Sequence, residues 1–192
     1  MNDDAISSIL IIAVLLLFSA YFSATETAFS SLNRTRLRAM AEKGNSKAAL
    51  ALSLAEKYDQ LLSSILVGNN VVNIAMSSIS TLLFVRLMPD IGATVSTIVI
   101  TIVVLIFGEI SPKSLAKENP EKFAMVSAPI IRVVIWVLTP INFLFTQWKK
   151  LLSKMFHLES DTKMSREELM LLVDEVEEGG SIDEEEGDLL RN

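Results

Sequence analysis

The sequence predicts an all-α integral membrane protein with three transmembrane helices and additional juxtamembrane or interfacial helices, followed by an acidic cytosolic helical segment. Three observations predict this class: 51% of the 192 residues are hydrophobic, the apolar residues fall in long runs, and acidic and basic residues occupy different parts of the chain. Water-soluble domains carry more charge and fewer such runs. Cysteine is absent, which excludes disulfides and thiolate metal sites.

Three apolar runs are the predicted transmembrane helices. Residues 5–32 contain one charged side chain, Glu26, whereas residues 60–85 and 91–108 contain none. A helix needs about 20 residues to cross the hydrocarbon core, so the first two runs qualify clearly and the third barely.

Basic residues predict the orientation of these helices. The first connection is cytosolic by the positive-inside rule, because it holds six basic residues: Arg34, Arg36, Arg38, Lys43, Lys47 and Lys57. The N-terminus is then outside, and the third helix returns the chain to the cytosol.

The fourth run, residues 123–148, is predicted to be a belt-like segment in the membrane interface. It contains Arg132 and is interrupted by Pro129 and Pro140, which remove backbone donors and break helices. The lysines after this run favour a cytosolic position. A fourth crossing of the membrane would place them outside instead. The alternatives are a segment that enters the membrane and returns on the same side, and a fourth span.

Two domains are expected. Residues 1–158 form the transmembrane domain, including an amphipathic cytosolic helix pair at 33–59 that is broken at Gly44. Residues 159–192 hold 13 acids and three bases and form an acidic helical linker with a net charge of 3 − 13 = −10. The helical pattern stops abruptly, so we expect the linker to be truncated before a cytosolic regulatory domain.

Glu109 is the strongest single indication of function. It ends the third run, three residues before Pro112, and an ionisable group at membrane depth indicates a functional site. Pro112 cannot donate to the carbonyl of Gly108, so a free backbone oxygen is expected beside the carboxylate, a suitable environment for a hard cation. The alternative is a residue at the water interface before a loop.

Polar side chains also form stripes along the first two helices. The first stripe is Ser19, Ser23, Glu26 and Ser30, and the second is Asn70, Asn73 and Ser77. The asparagines could simply join helices. Alternatively, a set of hydroxyl, amide and carboxylate oxygens suits Mg²⁺ or Na⁺ and not Zn²⁺. Glu26 either adds a second negative charge at the ion, lines the entry to the site or pairs with a cytosolic base.

Three motifs, in this order and spacing, resemble the membrane domain of the CNNM/CorC family of magnesium transporters. They are YFSATETAFS from Tyr21, GNNVVNI from Gly68 and FGEISPK from Phe107. The resemblance implies a homodimer with three transmembrane helices per subunit, a belt-like juxtamembrane helix and an inward-facing Mg²⁺ cavity. It also implies Mg²⁺ export coupled to Na⁺ influx.

The resemblance also assigns metal ligands by motif: Ser23, Asn73 and Glu109, with Asn70 as a neighbour and a backbone carbonyl at Ser114 or Leu115. Ser19 is expected to be dispensable for Mg²⁺ binding. The family's cytosolic CBS modules are absent from this sequence, so nucleotide binding is not expected of it. The expected partners are a second subunit, membrane lipid and that cytosolic part, with no nucleic acid.

Two functions stay open on the sequence. The first is a multi-pass Mg²⁺ transporter of the cell membrane, with its N-terminus outside and its C-terminus cytoplasmic. The second is a Mg²⁺-sensing membrane anchor for a cytosolic regulatory domain. No enzyme activity is expected, because the apolar runs contain no Ser-His pair, histidine cluster or aspartate pair.

Overall fold

The computed structural model describes residues 3–155, which are helical with short turns. The helices are α1 (Asp3–Ser31), α2 (Arg34–Glu42), α3 (Ser46–Glu56), α4 (Tyr58–Leu87), α5 (Gly92–Val103), a π-helix (Val104–Ile110), α6 (Ser111–Glu118) and α7 (Pro120–Met155). The chain divides into two compact units, residues 1–145 and 146–192. The predicted acidic linker and its boundary after residue 158 lie outside the described residues.

Four helices of the described part are long and apolar enough to cross a membrane: Asp4–Ser31, Tyr58–Leu87, Gly92–Glu118 and Pro120–Ile141. The all-α fold is therefore confirmed for these residues. The prediction that only three helices span the membrane, with the fourth as a belt, is not confirmed.

Two expectations about proline are wrong. Helix α7 continues through Pro129 and Pro140, and helical backbone continues from Gly92 through Pro112 to Glu118. Pro112 lies in the first turn of α6, directly after the π-helix, so the helical backbone is continuous there but lacks the one bond that its N–H would donate. Membrane helices tolerate proline where neighbouring groups satisfy the freed carbonyl.

Helices α1 and α4 pack antiparallel along their whole length. Three contacts between their side chains have residue numbers with almost the same sum: Asp4 with Arg86 (3.9 Å), Ser19 with Asn69 (3.2 Å) and Ser30 with Tyr58 (2.9 Å). A constant sum is the signature of an antiparallel pair, and it fixes which residues lie at the same depth.

Helices α4 and α5 form a tight antiparallel hairpin. Ser80 and Ser96 share a buried hydrogen bond of 2.9 Å between their hydroxyls. At the turn, a Cβ on Gly92 would collide with the backbone carbonyl of Phe84, so glycine is required for this approach. The segment from α5 to α6 consequently runs parallel to α1.

The helix pair α2–α3 and the first part of α7 pack beside α1. Gly44, at φ 88°, forms the turn between α2 and α3, as the sequence pattern predicted. Glu121 of α7 accepts hydrogen bonds from the Asn33 backbone (3.3 Å) and the Arg36 guanidinium (3.4 Å). Tyr21 donates to the Ser127 carbonyl at 2.9 Å. Small side chains fill much of the core: Ala24, Ala28, Ala48, Ala51, Ala55, Ala116, Ala124 and Ala128.

Candidate cation site between α1, α4 and the π-helix

Glu109 lies on a π-helix, a rare conformation that is frequent at functional sites. The Ser111 N–H donates to the carbonyl of Ile106, five residues earlier, instead of four. Pro112 has no N–H to donate to the Phe107 or Gly108 carbonyl. The third helix therefore carries both a wider turn and a missing backbone donor beside the carboxylate.

Ser19, Asn69 and Gly108 meet where α1, α4 and the π-helix come together. Ser19 is fully buried and donates to the Asn69 side-chain oxygen at 3.2 Å. A Cβ built on Gly108 would lie 3.0 Å from the Ser19 hydroxyl, so the π-helix backbone approaches α1 closely. Ser19 therefore joins helices, while its dispensability for Mg²⁺ binding stays a prediction.

Ser23 and Asn73 lie one turn from this junction, in opposite directions. Helices α1 and α4 are antiparallel, with Ser19 opposite Asn69. Moving four residues forward along each helix therefore leads in opposite directions, so Ser23 and Asn73 lie about 12 Å apart along the helix axis. Mg²⁺ binds oxygen at about 2.1 Å. In this helix register a bare ion therefore does not contact both side chains, and they lie at two separate depths.

Both of these side chains hold unpaired polar oxygens. The Ser23 hydroxyl and the Asn73 side-chain oxygen are buried and have no hydrogen-bond partner among the described residues. Most buried polar atoms in proteins are paired, so two orphans in one group of helices require an explanation. A bound cation would supply the missing partner.

Glu109 is a half-buried carboxylate and forms no ion pair or hydrogen bond with any side chain that the structure describes. Glu26, by contrast, lies 3.4 Å from the ammonium of Lys113, so the alternative in which Glu26 pairs with a base is the one observed. Helix register places Glu109 between the depth of Ser23 and that of the Ser19–Asn69 junction. The carboxylate thus lies at the depth of neutral oxygens of α1 and α4 and has no ion pair with a described cation.

The remaining predicted ligands are exposed in the structure. Asn70 is exposed and its amide donates to the Leu66 carbonyl of its own helix at 2.9 Å; Ser114 is exposed, as is Leu115 at 67%. Their role as ligands stays a prediction. Within the described residues no three His, Cys, Asp or Glu side chains form a cluster that could hold a metal.

Sequence reasoning missed Asn69. Asn69, Asn73 and Ser77 are spaced by four residues, so the sequence alone indicates that they share one face of a helix. The alternative stripe through Asn70 fits the helical period equally well, so spacing alone could not decide between them.

The sequence is similar to those of several known proteins. The sequence profile of a family described as "Cyclin M transmembrane N-terminal domain" matches residues 10–186. Similar proteins include a "UPF0053 protein" of Haemophilus influenzae, 39% identical over 93% of this chain and 43% of the relative. The "UPF0053 inner membrane protein YfjD" of Escherichia coli is 39% identical over 82% of this chain and 38% of its own length. A chloroplastic "DUF21 domain-containing protein" of Arabidopsis thaliana is 32% identical over 95% of the chain and 28% of the relative. The chain thus spans less than half the length of these relatives.

Proposed function

Because the chain belongs to the cyclin M transmembrane domain family, we propose that it carries Mg²⁺ across the cell membrane through the site around Glu109. The observation that carries this proposal is the half-buried carboxylate on the π-helix without a partner in the described chain. An uncompensated charge at membrane depth is costly and is retained where an ion passes or binds. The inner-membrane relative supports the location.

The proposed path runs along the oxygens that line α1, α4 and the π-helix. Ser23 lies at one depth, Glu109 and the Ser19–Asn69 junction at the next, and Asn73 at the third. The ion exchanges part of its water shell for these oxygens in succession. Successive weak sites suit transport, because conduction requires that the ion both bind and leave.

The finer features are proposals that rest on the Lys/Arg distribution and on the family resemblance. The N-terminus lies outside and the C-terminus in the cytoplasm, with three spans and α7 as an interfacial belt. The protein works as a homodimer that exports Mg²⁺ in exchange for Na⁺, under the control of a cytosolic CBS domain. No enzyme activity is proposed.

The alternative function is a Mg²⁺-sensing anchor for a cytosolic domain, which the partial coverage of the relatives leaves open. Mg²⁺ efflux from proteoliposomes, with and without an opposing Na⁺ gradient, separates the two. A transporter releases Mg²⁺ faster with the Na⁺ gradient, and Glu109→Gln abolishes the flux while Glu118→Gln, an exposed change on the same helical segment, does not. Mg²⁺ binding without flux above protein-free vesicles would establish the anchor instead.

A further inference from the structure

A second cavity lies away from the cation site, between α3, the start of α4 and α7. Its volume is ≈ 490 Å³. One part of its wall is apolar, formed by Leu50, Leu54, Ile135 and Trp136, and the rest is polar: Ser53, Glu56, Lys57, Gln60, Arg132 and Thr139. Such a mixed lining suits a ligand with a polar head and an apolar tail.

Two cations of this cavity have no counter-ion in the part of the chain that the structure describes. Within the described residues, neither Lys57 nor Arg132 forms an ion pair or side-chain hydrogen bond. Glu56, on the same wall, is likewise unpaired. The net charge of the lining is +1, from two cations and one carboxylate, so the cavity favours an anion.

The cavity lies at the end of a membrane-length helix. Lys57 and Gln60 border the start of the Tyr58–Leu87 helix, and Trp136 is 75% exposed on α7. Tryptophan and basic residues are enriched at the level of lipid headgroups. An unpaired Arg132 in a helix long enough to span is costly in hydrocarbon but not beside a phosphate.

We propose that this cavity binds the headgroup of an anionic phospholipid, with its phosphate between Arg132 and Lys57 and its upper acyl chain against Leu54 and Trp136. Basic pockets between helices at the membrane boundary bind such headgroups. A free phosphate would match the cations but leave the apolar wall uncovered. A bound lipid would also join the α3–α4 corner to α7, so it would act as a structural ligand away from the ion path.

Tryptophan fluorescence gives a direct test. Trp136 becomes the single tryptophan in a Trp148→Phe background, since the chain has two. Nanodiscs would contain brominated phosphatidylglycerol or brominated phosphatidylcholine at increasing mole fraction. We expect half-maximal quenching at a lower mole fraction of phosphatidylglycerol than of phosphatidylcholine. The two mole fractions should differ roughly fivefold for each cation, the equivalent of about 1 kcal/mol each.

Variants change this preference in opposite directions. Lys57→Gln with Arg132→Gln should abolish it, Glu56→Gln should increase it, and Lys43→Gln, an exposed residue outside the cavity, should leave it unchanged. Quenching by phosphatidylcholine in every variant verifies that the protein is inserted. Equal quenching by the two lipids in the Trp148→Phe background would overturn the proposal. Displacement of phosphatidylglycerol by inorganic phosphate at constant ionic strength would overturn it too, in favour of a free-phosphate site.

Discussion

At the scale of residues, the function depends on where charge and oxygen are left without partners. Asp4 and Glu26 both have basic neighbours, whereas Glu109 has none within the described residues. A single carboxylate neutralises half the charge of a divalent ion, so neutral oxygens and retained water must complete its shell. The orphaned oxygens of Ser23 and Asn73 fit that need at two depths.

Ser23→Ala and Asn73→Ala should each weaken Mg²⁺ binding, and their effects should add. Sites about 12 Å apart along the helices that share no partner usually have additive free energies. Mg²⁺-dependent thermal shifts of both single variants and the double variant measure this. Ser8→Ala, which removes only a hydrogen bond within α1, is the control. Strong coupling between the two changes would mean that one ion contacts both, contrary to the register described above.

Ser19→Ala should destabilise the protein even without Mg²⁺. It removes the 3.2 Å hydrogen bond to Asn69 from a fully buried position, and such bonds between membrane helices contribute about 1 kcal/mol or less. Thermal unfolding in detergent without divalent ions, compared with Ser8→Ala, measures the loss. Equal stability of the two variants would refute the role of Ser19 in joining α1 to α4.

At the scale of elements, close backbone approach sets the geometry of the site. Gly92 lets α5 fold back against the Phe84 carbonyl, while Gly68 faces the end of the Phe22 ring and Gly108 faces Ser19. Membrane helices associate through such small residues because they have no hydrophobic drive to do so. Glu109 lies on the π-helix directly after Gly108, at the point of this close approach.

Gly92→Ala should be more destabilising than Gly68→Ala. The new methyl at residue 92 meets backbone atoms that cannot move without opening the α4–α5 hairpin, whereas at residue 68 it meets the tip of the Phe22 side chain, which a small change in χ1 displaces. Overpacking of this kind costs about 1–3 kcal/mol, and the larger value is expected at Gly92. Unfolding temperatures of the two variants, measured in one detergent, give the order. The reverse order would show that the hairpin is less tightly packed than described.

The sequence predicted well which segments are helical, but it did not predict how the helices are arranged. Apolar runs identify the spans because a hydrocarbon core demands length and low charge. Proline was misjudged at Pro112, Pro129 and Pro140, since its cost depends on neighbours that supply donors, which a single sequence does not display. Glu109 could be identified from the chemistry of a carboxylate at the end of an apolar run. Identifying Asn69 required the register between α1 and α4, which a single sequence does not display.

At the scale of the whole molecule, the open question is how many helices cross the membrane. Four helices of the described part have the length and composition to do so, and the basic residues after residue 148 argue for three crossings. The unpaired Arg132 of α7 and the cavity beside it fit a helix at the headgroup level. An interfacial α7 would keep both ends of that helix on one side.

Labelling of single cysteines should place Asn2 outside and Ser160 inside. The chain has no native cysteine, so each substitution gives one reactive thiol. A membrane-impermeant maleimide applied to intact cells should label the first and not the second, because an odd number of spans separates them. Labelling of both from outside would establish four crossings and remove the belt.

The central claim is that Glu109 holds Mg²⁺, and a Mg²⁺ titration of thermal stability tests it most directly. A ligand that binds only the folded state raises stability, by about 2.7 kcal/mol at one hundred times its Kd. The parent protein and Glu118→Gln should show this increase, while Glu109→Gln, which keeps the shape but removes the charge, should fold normally and show none. A full Mg²⁺-dependent shift in folded Glu109→Gln would contradict the claim.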